Sequence, residues 1–257
     1  MRSETEAALR AASIAQRIAD SRIGADQVQS KGGIDLATAT DVACEDAIRS
    51  ELLRAFPEYP VIGEERGGTP DADRPYWLVD PICGTRPYAS NVPLYCTNIA
   101  LVENGIVTAA AIGVGRTGEI VYAEIGSGAW LRANDSERRL SVSAHSNTIW
   151  IDGYTESAAN AVHRSLTSKR WYVWQFSSTV AYAYLSDGRI SGILHFASGP
   201  QPSYGSVHTA AGCFIAQEAG AIVTDLNTGK PWNLETCCLL LGSTPELHRD
   251  LFQLVHA

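Results

Sequence analysis

The residues best suited to chemistry stand in one short stretch, YWLVDPICGTRPYASNVP, at positions 76–93. Its four apolar or aromatic leading residues predict a short buried strand that ends at Asp80, with the following proline as its stop. Gly84 and Thr85 then supply a tight turn and a hydroxyl, a layout typical of loops that wrap an ion or a phosphate. Cys83 is the odd member, because an oxygen-lined site for a hard cation would use another carboxylate there.

Two further acidic signals come before this stretch. Asp41 stands at the predicted start of a helix, and Glu64 and Glu65 follow the short predicted strand of Val61 and Ile62. Taken singly, an Asp at a helix start is usually an N-cap, and a Glu pair is usually part of a solvated loop. The three signals become informative through their order along the chain, each at the end of a short element.

The elements that must position these residues begin with two helices and an antiparallel meander. The first helix opens with a Ser3-x-x-Glu6 capping box, and the second begins at Asp41. Asn104-Gly105 and Thr117-Gly118 are hairpin signals that separate the strands of the meander.

The second half alternates apolar strand candidates with helix candidates. One helix is predicted from about His208, and a last helix starts at Thr244-Pro245. The polar passage 134–148 separates the two halves. We therefore predict a fold of the α/β class with two lobes: an α+β lobe of residues 1–143 that carries the acidic motifs, and an α/β lobe of residues 144–257.

The bulk composition excludes several classes of function. A formal net charge of −8 and the lack of any Lys/Arg cluster argue against nucleic-acid binding. An acidic protein that handles an anionic substrate needs cations to mediate, which favours a metal. No apolar run approaches the ~18 residues of a membrane helix. An acidic N-terminal segment and six cysteines without metal-finger spacing predict a cytoplasmic protein with reduced thiols.

The motifs DLATATD, GEE, WLVDPICGT and HTAAGCFIAQEAGAIVTD, in this order, resemble those of the inositol monophosphatase family. The family patterns are D-x-x-T-x-x-D, G-E-E, D-P-[IL]-D-G-T and W-D-x-A-A-G. The resemblance covers nearly the whole chain and implies a layered αβαβα sandwich of the inositol monophosphatase and fructose-1,6-bisphosphatase type, with the site between the lobes. It also implies a Mg²⁺-dependent phosphomonoesterase, commonly a homodimer, that acts on a small polyol, sugar or cyclitol phosphate.

The resemblance implies ligands for a first metal ion and a hydroxyl that positions the attacking water. Glu64, Asp80 and the carbonyl of Ile82 match the ligands of the first metal ion. Thr85 matches the hydroxyl that helps to position the attacking water. Asp41 matches the acid that holds an outer, weaker metal through water.

The other half of the site departs from the family pattern. The family's second metal is held by three aspartates, which here correspond to Asp80, Cys83 and His208. Mg²⁺ bonds poorly to a thiol and an imidazole, whereas Zn²⁺, Fe²⁺ or Co²⁺ accept both. We expect Cys83 and His208 to face each other across the cleft.

Substrate contacts follow from the same resemblance. Gly84 and Thr85 lie in the WLVDPICGT motif, and gapless counting puts Ser177 and Ser178 in the family's substrate-contact segment. The same counting puts His195 where inositol-type members carry an acid that grips substrate hydroxyls. The chain after His195 is longer than the family pattern.

Four explanations compete for Cys83 and His208. The protein is a drifted phosphatase with an altered second metal site, or the site is retuned to a softer metal with three ligands and an open position. Alternatively, the fold has been recruited for small-molecule biosynthesis with Cys83 as nucleophile and His208 as base. The last explanation is a silent binding protein without metal. Two replacements that both introduce ligating groups differ from simple decay, which argues against the silent protein. We rank the phosphatase first, the recruited enzyme second and the silent binding protein third.

Overall fold

The computed structural model describes residues 1–24, 28–32, 35–71, 73–134, 136–152, 157–169, 171–197 and 205–256. In these ranges the chain forms five layers in the order helix, sheet, helix, sheet, helix. The predicted layered sandwich is confirmed. No helix in these ranges is long and apolar enough to cross a membrane.

The first half builds an outer helical layer and a seven-stranded sheet. The outer helices are α1 (Ser3–Arg22) and α2 (Ala39–Ala55), joined through the ribbon β1 (Val28–Gly32) and β2 (Asp35–Thr38). The sheet runs in sequence order through β3 (Val61–Gly63), β4 (Tyr76–Cys83), β5 (Cys96–Glu103), β6 (Ile106–Val114), β7 (Glu119–Glu124), β8 (Ala129–Ala133) and β9 (Ser136–Arg139). The short helix α3 (Thr85–Ala89) follows β4.

The hairpin turns arise from residues that tolerate a left-handed backbone. Asn104 and Gly105 have φ angles of 51° and 77°, and the next turn uses Arg116 and Gly118 at 57° and 70°. Positive φ at both central residues of the Asn104-Gly105 turn matches the right-handed twist of paired strands. In the second turn, Arg116 rather than the predicted Thr117 has positive φ together with Gly118. The predicted meander is therefore confirmed at these turns.

The predicted capping box at Ser3 is wrong. Helix α1 takes Arg2 as its N-cap without a side-chain cap. The backbone N–H of Arg2 donates to Glu124 (2.7 Å), and its guanidinium donates to Glu103 (2.8 Å). Ser3 Oγ instead donates to the neighbouring Glu4 (3.1 Å). Contacts of Arg2 with the sheet, rather than a local capping motif, fix the start of the helix.

The second half builds the inner helices, a five-stranded sheet and the far outer helices. The sheet order is β11 (Tyr172–Gln175), β10 (Thr148–Asp152), β12 (Gly192–His195), β14 (Leu239–Gly242) and β13 (Ile222–Asp225). The inner helices are α5 (Val180–Ser186) and α6 (Ala210–Glu218), and the outer ones are α4 (Ser157–Ser168) and α7 (Pro245–Val255). The predicted helix near His208 and the Thr244 N-cap of the last helix are confirmed.

The inner helices bind the two sheets into one core. Helix α6 is buried over most of its length, as expected for a helix covered on both sides. It packs on β6 and on β13, and one apolar cluster includes Ala110 from the first sheet and Ile193 from the second. The chain passes between the sheets over residues 140–147. The lobe boundary at 143 and 144 falls in this passage and stays a prediction.

Candidate active site

Strand β4 carries the site past the proline that was expected to end it. The strand continues from Asp80 through Pro81 to Cys83. Its pairing with β5 shifts here, since Asp80 lies opposite Asn98 whereas Cys83 lies opposite Cys96. The extra residue on β4 is a bulge, which accommodates a proline in the strand and re-aims the side chains around it.

Asp80, Cys83 and His208 converge at this bulge. The ligating atoms of the three side chains lie within 4.8 Å of one another. His208, just before α6, shares a hydrogen bond of 2.8 Å between its Nδ1 and Asp80 Oδ2. Asp80 is fully buried, and its other oxygen, Oδ1, has no hydrogen-bond partner among the described residues. The structure therefore brings the imidazole of His208 to the carboxylate and the thiol of β4, which lie more than a hundred residues earlier in the chain.

The neighbours of Cys83 and His208 shift their pKa values. The hydrogen bond with Cys96, burial and the charge of Asp80 raise the pKa of the Cys83 thiol well above its ordinary value. Burial alone lowers the pKa of His208, but the hydrogen bond to Asp80, with further contributions from Cys83 and Glu64, raises it overall. Without a metal, this arrangement favours a neutral thiol beside a charged imidazolium.

The loop after β11 closes over Cys83. Thr179 donates its backbone N–H to Cys83 Sγ (3.3 Å), and Ser178 Oγ donates to the Cys83 carbonyl (3.1 Å). The predicted contact residue Ser178 is thus adjacent to the motif, and Ser177 precedes it in the same loop. Gly84 allows this approach, because a Cβ on Gly84 would come within 2.8 Å of Ser178 Oγ at a φ of 97°.

A buried amide ties the two ligand-bearing segments together. Asn98 is fully buried and donates through Nδ2 to Thr179 Oγ1 (2.8 Å) and to the His208 carbonyl (3.2 Å). Cys96 lies against the same group, 3.5 Å from Thr179 Oγ1. Sequence analysis assigned neither Asn98 nor Cys96 to the site. Their alternation on β5, two residues apart, was the available signal.

Asp41 and Thr85 form a second, separate polar pair. Thr85 Oγ1 lies 3.3 Å from Asp41 Oδ1 and 3.1 Å from the Ile82 carbonyl oxygen. Asp41 closes a capping box at α2, with its Oδ2 accepting the Thr38 backbone N–H (2.8 Å). Burial raises the pKa of Asp41 to about 6, against the lowering effect of the Thr38 hydrogen bonds. Helix α2 thus begins at Ala39, before the predicted start at Asp41, and Asp41 completes the cap from the third helical position while Thr38 is the N-cap.

A buried acid from α2 shapes the turn that holds Glu64. The Glu45 carboxylate accepts the backbone N–H groups of Glu65 (2.7 Å) and Arg66 (3.1 Å). Only glycine fits at Gly63, because a Cβ there would lie 2.0 Å from Glu45 Oε1. Glu64 is close enough for its charge to raise the pKa of both Asp41 and His208. Glu45 lies mid-helix outside any motif, which is why sequence analysis missed it.

A third polar group lies at the carboxyl ends of two interior strands of the second sheet. Asp152 and His195 end the neighbouring parallel strands β10 and β12, and His195 Nδ1 lies 3.3 Å from Asp152 Oδ2. Strand order reverses at β10, and ligands of such sheets bind beyond the carboxyl ends of strands at this switch point. His195 thus has an acidic neighbour, Asp152, that sequence analysis missed, and its role in substrate contact stays a prediction. Residues 198–204 of the long segment after it lie outside the described residues.

The donor atoms divide into two groups with respect to metal binding. Carboxylates of Glu64 and Asp80 and the carbonyl of Ile82 are oxygen donors that suit a hard cation, and the unpartnered Asp80 Oδ1 is free to bind one. Ile82 retains a lone pair besides the one facing Thr85. Cys83 and His208 do not suit Mg²⁺. The chemistry of the oxygen donors thus suits the metal of the family, whereas the thiol and the imidazole depart from it.

Known proteins resemble this chain in both sequence and fold. The Inositol monophosphatase family model matches residues 1–257. The chain is 30% identical over 236 residues to Nus factor SuhB of Xylella fastidiosa, spanning 86% of this chain and 82% of that protein. It is 29% identical over 242 residues to the inositol monophosphatase of Dictyostelium discoideum, spanning 89% and 85%. The crystal structure of extragenic suppressor protein suhB from Bartonella henselae aligns with a TM-score of 0.87 at 25% identity, over 99% of this chain and 98% of that one. The chain belongs to the inositol monophosphatase family.

Proposed function

We propose that this protein is a metal-dependent phosphomonoester hydrolase that acts on a small polyol, sugar or cyclitol phosphate. Its family is one of metal-dependent phosphatases acting on small phosphorylated substrates. The observation that carries the proposal is the fully buried Asp80, whose Oδ1 has no hydrogen-bond partner among the described residues. Two residues further along the chain, the Ile82 carbonyl contacts Thr85, which also contacts Asp41. A buried carboxylate oxygen without a partner is costly unless a cation or proton occupies it.

Glu64, Asp80 and the Ile82 carbonyl would hold Mg²⁺, since all three are hard oxygen donors. When bound, the cation supplies Lewis-acid polarisation of the phosphoryl group and offsets its negative charge. Thr85 positions the attacking water. Because its hydroxyl proton points to Asp41 or to the Ile82 carbonyl, its oxygen is left to accept a hydrogen bond from that water.

The substrate would extend from Thr85 toward the second sheet. On this path the substrate would pass Gly84 and the loop of Ser177 and Ser178, which lies against Cys83. Beyond it, His195 and its partner Asp152 offer a donor and a carboxylate acceptor, a combination that suits hydroxyl groups of a polyol. The raised pKa of Cys83 opposes the alternative in which its thiolate is a standing nucleophile.

The experiment is phosphate release from a panel of sugar, polyol and inositol monophosphates with Mg²⁺. We expect Mg²⁺-dependent release from at least one of them, abolished by a chelator. Thr85→Val, which keeps the size but removes the hydroxyl, should lower kcat by about a hundredfold or more. Thr117→Val, in a hairpin turn, is the matched control. A folded protein that releases no phosphate with Mg²⁺, Mn²⁺ or Zn²⁺ would contradict the proposal.

We also propose a homodimer formed through the edge strand β11. Tyr172, Trp174 and Phe176 alternate along one face of this edge and are 70%, 50% and 40% exposed. Such a contiguous aromatic surface is unusual on a monomer and typical of interfaces. Sedimentation should give a dimer for the native chain and a monomer for Trp174→Glu. A monomeric native chain at micromolar concentration would refute it.

A further inference from the structure

We propose that Asp80, Cys83 and His208 form a binding site for one thiolate-accepting divalent cation, of the class of Zn²⁺ or Co²⁺. The inference rests on the proposed function only in that a substrate phosphate would fill the open position of this cation. The site lies beside the hard-oxygen position of Glu64 and Ile82 and shares only Asp80 with it.

Donor chemistry is the first argument. A thiolate, an imidazole and a carboxylate are the ligands of zinc sites, and thiolate in particular selects against Mg²⁺. Three protein ligands with one open position is the count of catalytic rather than structural zinc. His208 has a side chain that is 31% exposed, so the group opens to the cleft and is not sealed in the core.

Geometry is the second argument. Ligand atoms about 2.0–2.3 Å from a tetrahedral Zn²⁺ lie roughly 3.3–3.8 Å from one another. Here Asp80 Oδ2 and His208 Nδ1 are 2.8 Å apart, and the three ligating atoms all lie within 4.8 Å. The 2.8 Å separation and the 4.8 Å limit both lie within about 1 Å of the spacing that a tetrahedral site requires.

Hydrogen bonds from neighbouring residues hold two of the three ligands, Cys83 and His208, in place. Thr179 donates an N–H to Cys83 Sγ, a contact that favours the thiolate form needed for binding. Asn98 holds both Thr179 and the His208 carbonyl, so a single buried side chain fixes the loop that contacts the thiol and the segment that carries the imidazole. Ligand-bearing segments held in this way are typical of built metal sites.

The test uses Co²⁺ added to the metal-free full-length protein, followed by absorption. We expect one equivalent to produce a thiolate-to-cobalt charge-transfer band in the near ultraviolet, which Zn²⁺ removes and Mg²⁺ leaves unchanged. Cys83→Ser should lose the band. Cys237→Ser, at an exposed thiol, should retain it. His208→Ala keeps the thiol and should weaken Co²⁺ binding at least about tenfold.

The proposal is overturned by the absence of the band in the native protein, or by a band that survives in a Cys83→Ser protein. Circular dichroism establishes that each variant is folded. If Cys83→Ser does not fold, the His208→Ala affinity decides, and an unchanged affinity overturns the proposal. Because the band is read without substrate, an inactive protein that shows it contradicts only the phosphatase function. An active protein without the band contradicts only the metal site.

Discussion

Replacing Asp80 with Asn is expected to lower phosphomonoester turnover by at least about a thousandfold. Asp80 is the one side chain that both groups of donors share. Its Oδ1 is the unpartnered oxygen, and its Oδ2 holds His208. Asn keeps the size of the side chain but removes the negative charge, so a cation is held less tightly and His208 loses its ionic partner. The measurement is kcat/KM at saturating Mg²⁺ with the preferred phosphate ester.

The matched control is Asp46→Asn on α2. Asp46 is exposed and pairs with Arg66 at the surface, and surface pairs of this kind contribute about 0–1 kcal/mol. This variant should keep full turnover. A folded Asp80→Asn protein that retains more than about a tenth of native activity would show that the reaction does not depend on this carboxylate.

Local sequence signals predicted the scaffold well where backbone preference decides the structure. Asn104-Gly105 and Gly118 adopt the left-handed backbone that their turns require. Thr244 caps the last helix through its hydroxyl, as the Thr-Pro start indicated. At these positions the conformational preferences of a few neighbouring residues are enough to determine the local structure. The Ser3 box failed because Arg2 is fixed by Glu103 and Glu124, which are more than a hundred residues away.

The site was predictable in its motifs but not in its supporting residues. The order of the motifs indicated Asp80, Cys83 and His208, which the structure brings within contact distance. Cys83 shares the face of Asp80, and so lies opposite Cys96, because β4 bulges after Asp80 and shifts its register against β5. A bulge of this kind is set by packing between strands, so no pattern within either strand reveals it.

The acids Glu45 and Asp152 escaped notice for a related reason. Glu45 shapes the turn of Glu64 across the gap between α2 and the sheet, and Gly63 is the only local trace of it. Asp152 meets His195 because parallel strands place their carboxyl ends together, although the two residues are far apart in sequence. Residues that act through nonlocal contacts carry no signature in spacing.

Restoring carboxylates with the double variant Cys83→Asp and His208→Asp is expected to change both stability and metal dependence. Without metal, the two new carboxylates would crowd beside the fully buried Asp80, and the repulsion among the three should lower the melting temperature. Mg²⁺ should reverse this loss, because a ligand at 100 times its Kd stabilises by about 2.7 kcal/mol. The native protein should gain less from Mg²⁺, since it lacks two of these oxygen ligands.

Turnover of the double variant with Mg²⁺ should exceed that of the native protein by about tenfold or more, since a second hard cation adds transition-state charge stabilisation. Its affinity for Co²⁺ should fall, since it has lost both the thiol and the imidazole. Cys83→Ala with His208→Ala is the control, because it removes the same groups without supplying oxygen ligands. It should show no more activity and no more stabilisation by Mg²⁺ than the native protein. A folded double-Asp variant with turnover equal to the native protein's would mean that the thiol and the imidazole do not limit the Mg²⁺ reaction. Cys83 and His208 would then have to be explained by the softer cation alone.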